Sequence, residues 1–124
     1  MSVYFIKNTR TGSLKIGLSV NPESRLATLQ TGNEDKLVIE AVIPNADVSV
    51  EKRLHEDWGY LRSRGEWFAP DKALTEFIGQ LKLVVNLYET HGQGVVDDYQ
   101  WFSDNGLLAW RRVWLLALGG HSQQ

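Results

Sequence analysis

Val3-Tyr4-Phe5-Ile6 and Leu14-Lys15-Ile16-Gly17-Leu18, separated by the turn-forming run Asn8-Thr9-Arg10-Thr11-Gly12-Ser13, decide how this chain folds. Two short β-type runs joined by such a loop read as a hairpin. Successive side chains of a strand point to opposite faces, so Val3 and Phe5 share one face while Tyr4 and Ile6 share the other. In the second run Leu14, Ile16 and Leu18 make one apolar row, with Lys15 and Gly17 opposite. If that row packs inward with Val3 and Phe5, Tyr4 and Lys15 emerge on one face. A phenol and an ammonium would then stand side by side, next to a glycine that lets a ligand approach the backbone closely. The same residues also fit an ordinary amphipathic hairpin with one Tyr and one Lys on its wet side.

Working outward, composition sets the bounds. The 124 residues are enough for one domain with a real core. With 43% apolar and 23% charged residues, this is the makeup of an ordinary globular protein. The absence of cysteine excludes a disulfide framework and any Cys-based metal site. No apolar signal-peptide run precedes Lys7, so the expectation is a cytoplasmic protein. A formal net charge of −2 gives no general attraction for nucleic acid. DNA binding would therefore need a local basic patch.

Following the hairpin, Asn21-Pro22 predicts a helix start, with Asn as N-cap and Pro where its missing N–H costs nothing. The helix continues to Gln30 with Leu26 and Leu29 facing the core, Arg25 at the margin of that face, and Gly32 as its stop. Lys36 to Ile43 predicts a strand with Leu37, Ile39, Ala41 and Ile43 on one face, ended by Pro44. Asn45 and Asp47 compete to cap a second helix over about 47 to 58. There Val50, Leu54 and Trp58 recur at helical spacing, with Glu51 on the flank of the stripe and one turn before His55. Gly59 breaks this helix, Arg62-Ser63-Arg64-Gly65 reads as a basic turn, and Glu66-Trp67-Phe68 as a short strand. Asp71 caps a long helix with apolar positions Leu74, Phe77, Ile78, Leu81, Val84, Val85 and Tyr88. A loop from Thr90 to Asp98 leads to an apolar helix within Trp101 to Leu118. Its stretch from Leu107 to Leu118, interrupted by Arg111 and Arg112, is too short to span a bilayer, which needs about 20 residues.

Taken together, Tyr4, Lys15-Ile16-Gly17, Arg25 and Glu51 fall in the order of the GIY-YIG endonuclease superfamily. More narrowly, the chain resembles the phage and prophage branch whose second motif reads KIG. Glu51-x-x-Leu54-His55 and Gly65-Glu66-Trp67-Phe68 support the resemblance, which covers about residues 2 to 78. It implies an α+β fold, a small three-stranded antiparallel sheet flanked by helices, and metal-dependent hydrolysis of DNA phosphodiesters. By resemblance Glu51 is the protein ligand of a Mg²⁺ or Mn²⁺ ion, which would polarise the scissile phosphate. Tyr4 matches a general base or water-positioning group, and Arg25 an arginine that offsets charge in the transition state. His55 is implied to share proton transfer or contact phosphate. Lys15, Arg25, Arg62 and Arg64 are the candidate DNA contacts.

Two departures from the family pattern stand out. Lys15 occupies the place of the second tyrosine found in many relatives, and an ammonium can stabilise an oxyanion but does not act as a base unless its pKa is depressed. No asparagine follows Glu51 until Asn86, in a different helix. The expected organisation is a nuclease-like domain over residues 1–88 with a helical extension over 89–124, packed on it or forming an interface. Trp101, Trp110 and Trp114 concentrate in that extension, and Trp is enriched at subunit interfaces. Three functions stand open on these grounds: an endonuclease, an inactive DNA-binding module, and a protein-interaction factor acting through the extension, with a homodimer as one form of partnership.

Overall fold

The hairpin forms as its residues dictate and becomes the centre of a larger sheet. In the computed structural model, which describes residues 1–91 with side chains to residue 86, β1 (Ser2–Asn8) and β2 (Leu14–Ser19) pair antiparallel. The Asn8 side-chain oxygen accepts from the backbone N–H groups of Arg10 and Thr11, at 2.9 and 3.1 Å, which fixes the turn between them. Three further strands join: β3 (Leu37–Ile43), β4 (Arg62–Arg64) and β5 (Trp67–Phe68), in the order β3-β1-β2-β5-β4. All four pairings are antiparallel. The α+β class is as expected, but the sheet has five strands and not three. The basic run Arg62-Ser63-Arg64, expected as a turn, is an edge strand. Its side chains are all exposed, so it carries no apolar alternation, and its hydrogen bonds to β5 hold it in place.

Among the described residues, three α-helices cover the sheet. Helix α1 (Pro22–Thr31) starts as the sequence demands, the Asn21 side chain accepting from the Ser24 N–H at 3.1 Å with Pro22 in the first turn. It ends at Gly32, whose φ of −97° shows that no left-handed residue is needed there. Helix α2 (Val48–Asp57) is capped by Asp47, which accepts from the N–H groups of Ser49 and Val50. The rival cap, Asn45, instead turns the chain with φ +54°. A single 3₁₀ turn, Gly59–Leu61, follows. Helix α3 (Lys72–His91) is led by Asp71, which accepts from the Ala73 N–H at 2.8 Å. It includes Thr90 and His91, which were expected to begin a loop. The expected helix within 101–118, and the interface tied to Trp101, Trp110 and Trp114, lie outside the described residues.

The helices divide the core into two layers. Val3, Phe5, Leu14, Ile16 and Phe68 pack against Val50, Leu54 and Trp58 of the α2 segment and against Leu74, Phe77, Ile78, Leu81 and Val84 of α3. Tyr4, Ile6 and Leu37 form the smaller layer, with Leu26 and Leu29 of α1, Ile39 and Trp67 against them. The Tyr4 face is thus covered by α1 and is not wet. The expected single face of β3 is also corrected. Pairing steps from Phe5↔Ala41 to Ile6↔Ile39, so a β-bulge at Glu40 inserts one extra residue. Leu37 and Ile39 consequently serve the α1 layer, while Ala41 and Ile43 serve the other. Among the described residues, no helix is long and apolar enough to cross a membrane.

Candidate active site

The site forms where β2 loses its outer neighbour. Strand β5 pairs with Leu14 and Lys15 alone, and one more backbone bond joins the Ile16 N–H to the Glu66 carbonyl at 3.1 Å. Beyond that point α2 takes over the edge, because the His55 Nε2–H donates to the Ile16 carbonyl at 2.8 Å. The apolar stripe Val50-Leu54-Trp58 is buried and sets the rotation of α2. That rotation leaves Glu51 and His55 half-buried at the margin, as their spacing requires.

Register brings the hairpin residues to the same place. Tyr4 lies opposite Gly17, and Lys15 lies opposite Ile6, so Tyr4 and Lys15 are diagonal neighbours on one face. Tyr4 is 1% exposed. Its hydroxyl sits over Gly17 so closely that a Cβ there would overlap the phenol oxygen and ring. Gly17 is therefore a notch that seats Tyr4. Burial pushes the phenol's pKa above its ordinary value; the Arg25 guanidinium opposes the rise, and the carboxylates of Glu66 and Glu51 add to it. Tyr4 is a neutral phenol at pH 7. Arg25 reaches it from exposed ground on α1.

Lys15 has only 11% of its side chain exposed. A mostly buried ammonium needs a counter-charge. Glu66 supplies it, with Oε1 3.4 Å from Nζ, and the Trp67 ring centroid lies 5.6 Å from the same nitrogen. Glu51, His55 and Glu66 each present a ligand atom within 4.8 Å of the others'. The Glu51 carboxylate makes no hydrogen bond or ion pair among the described residues, while its backbone N–H donates to the Asp47 carbonyl.

His55 is already fully engaged. The Arg62 Nη2 lies 2.9 Å from Nδ1, and the ring packs on Phe68 with centroids 5.3 Å apart. A guanidinium can only donate and a carbonyl can only accept. These partners dictate a neutral imidazole with its proton on Nε2 and its lone pair on Nδ1 pointing to Arg62. With both ring nitrogens engaged, the Glu51 carboxylate and the Glu66 carboxylate now paired with Lys15 are the groups suited to hold a cation.

Of the residues expected at the site, Tyr4, Lys15, Arg25, Glu51 and His55 converge around Gly17, and Arg62 joins through His55. Arg64 does not join them. It lines a neighbouring shallow cleft with Asn8, Thr11, Ser13, Asn33, Ser63 and Trp67. Glu66 belongs to the site although the sequence gives it no role beyond the motif Gly65-Glu66-Trp67-Phe68. Its place depends on β5 docking against Lys15, a non-local pairing that local pattern does not disclose.

The donor set suits a hard divalent cation. Carboxylate oxygens from helix α2 and from the turn before β5 lie within 4.8 Å of each other, and Mg²⁺ or Mn²⁺ favours one or two such ligands plus water and phosphate oxygens. Comparison with curated proteins and with solved structures gave no match. A family model, the T5orf172 domain, matches residues 1–88. The chain belongs to the T5orf172 domain family, a nuclease-like family.

Proposed function

We propose that this protein is a divalent-cation-dependent endonuclease that hydrolyses DNA phosphodiester bonds, of the GIY-YIG type with a KIG second motif. The observation that carries the reading is the convergence of a buried phenol, two cations and two carboxylates around the Gly17 notch. A phosphodiester carries one negative charge and gains another in the transition state, so its hydrolysis needs cationic partners and a positioned water. Arg25 is exposed, with its guanidinium beside Tyr4, where a phosphate oxygen could meet it. Tyr4, neutral and rigidly seated, is suited to hold the attacking water by hydrogen bonding, and its raised pKa makes it a poor free phenolate base at neutral pH. Glu51 would hold the Mg²⁺ or Mn²⁺ ion, which when bound supplies Lewis-acid polarisation of the phosphate. His55 orders the site from behind, tying α2 to β2 and presenting Arg62.

The test is a parallel cleavage and binding assay of wild type and Glu51→Gln on duplex, nicked and branched DNA in Mg²⁺ and Mn²⁺. Glu51→Gln keeps size and helix propensity, so the fold should persist. Cleavage should fall by roughly 100-fold or more, since a Lewis acid is worth several kcal/mol. Metal-free DNA binding should remain. Equal cleavage by both proteins sinks the mechanism, and binding without cleavage by wild type identifies a DNA-binding module instead.

A further inference from the structure

We propose that Glu66 is a second carboxylate ligand of the divalent cation, and that Lys15 occupies its charge until the cation arrives. The inference rests on the reading of Glu51 as a cation ligand and adds to it. Glu66 now neutralises Lys15 from 3.4 Å, so a cation is already held against this carboxylate. Glu51, half-buried and with a carboxylate that makes no hydrogen bond or ion pair among the described residues, faces the same space, with ligand atoms within 4.8 Å. An ion with bonds of about 2.1 Å spaces its oxygens about 3 to 4.2 Å apart, so a small closure of the two side chains completes the pair. His55 does not compete for the place, because its nitrogens serve Ile16 and Arg62.

The exchange has a chemical consequence. When Glu66 turns from ammonium to cation, Lys15 loses its counter-charge inside a mostly buried pocket. A phosphate oxygen is the natural replacement, so cation and DNA backbone should each strengthen the other's binding. Lys15 would thereby change partner from carboxylate to phosphate. No bond is made or broken in this exchange.

Mn²⁺ titration of the full chain, followed by electron paramagnetic resonance without DNA, tests the idea. Wild type should bind Mn²⁺, and Glu66→Gln and Glu51→Gln should each bind it about tenfold more weakly or worse, since loss of even an outer-sphere partner costs 10–100-fold. Lys15→Met, which removes the competing ammonium, should bind Mn²⁺ more tightly. Glu66→Gln leaves Lys15 without its partner, so the Lys15→Met/Glu66→Gln double variant guards against misfolding. It should bind Mn²⁺ as weakly as Glu66→Gln. If Glu66→Gln and the double variant match wild type while Glu51→Gln is impaired, Glu66 is a counter-ion only; the inference falls and the reading of Glu51 stands. If Lys15→Met leaves Mn²⁺ affinity unchanged, the exchange falls. If wild type binds no Mn²⁺, or Glu51→Gln binds it equally well, both readings fall.

Discussion

Gly17→Ala is the smallest change that probes the seat of Tyr4, and its effect follows from space alone. The backbone at Gly17 is not in the left-handed region, so an alanine carries no conformational strain there. Its methyl group, however, would lie inside contact distance of the Tyr4 hydroxyl and Cζ, and 3.0 Å from Cε2. Tyr4 has no room to retreat, being fully buried with Ile6 and Leu37 and packed by Leu26, Leu29, Ile39 and Trp67. Overpacking of this kind costs about 1–3 kcal/mol. For a domain of this size each kcal/mol lowers Tm by roughly 4–8 °C, so a fall of at least about 4 °C is expected. Thermal unfolding by circular dichroism measures it. Tyr4→Leu removes the clashing atoms, so its cost should be smaller in the Gly17→Ala background than in wild type. A coupling of about 0.5–3 kcal/mol is the range for residues in direct contact. If Gly17→Ala melts with wild type, or if the two changes simply add, Tyr4 is not seated over Gly17 and the geometry of the site is wrong.

Lys15→Ala should weaken DNA binding and reduce the slope of log K against log salt by about one, whereas Lys15→Arg should keep most of the affinity; equal slopes for wild type and Lys15→Ala would exclude a phosphate contact. Acid should loosen the far end of the sheet. The Asp35 carboxyl is held below its ordinary pKa of 3.8 first by the hydrogen bond from Arg10 and then by that from Asn8. A lowered folded pKa means that this stabilisation is fully present above 3.8 and is lost as pH falls through the folded value. Wild type should therefore be more stable than Asp35→Asn near neutrality and converge with it in acid; a constant difference across that range would refute the linkage. Tyr4 has the opposite sign. Its raised pKa gives stabilisation that is intact below the ordinary phenol value of 10.0 and lost as pH climbs through the folded value, which Tyr4→Phe should remove from an alkaline unfolding curve.

Local chemistry along the chain was sufficient for the helices and the hairpin. Asn21-Pro22, Asp47 and Asp71 each satisfy backbone N–H groups within three residues, so their signals need no distant partner. The alternation of Val3 to Ile6 and of Leu14 to Leu18 set the two faces of the hairpin, and with them the company of Tyr4, Lys15 and Gly17. The spacing Val50-Leu54-Trp58 placed Glu51 and His55 at the margin of α2. These features follow from periods of two and 3.6 residues, which are properties of the chain itself.

Tertiary structure decided the rest. The bulge at Glu40 reversed half of β3, because the extra residue between Ile6↔Ile39 and Phe5↔Ala41 shifts the alternation and turns Ala41 and Ile43 to the other layer. Arg62 to Arg64 became a strand through backbone bonds to β5, with no apolar side chain to announce it. The same docking of β5 on Leu14 and Lys15 brought Glu66 to the ammonium of Lys15 across 51 positions of sequence, and Arg62 reached His55 from the strand beside it. Charge pairing and register between distant segments depend on which surfaces the folded layers leave adjacent, and no local period encodes that. Tyr4, Lys15, Arg25 and Glu51 stand out through the resemblance of their order to the GIY-YIG pattern; the counter-charge of Lys15, the fixed tautomer of His55 and the notch at Gly17 exist only once the sheet has closed around them.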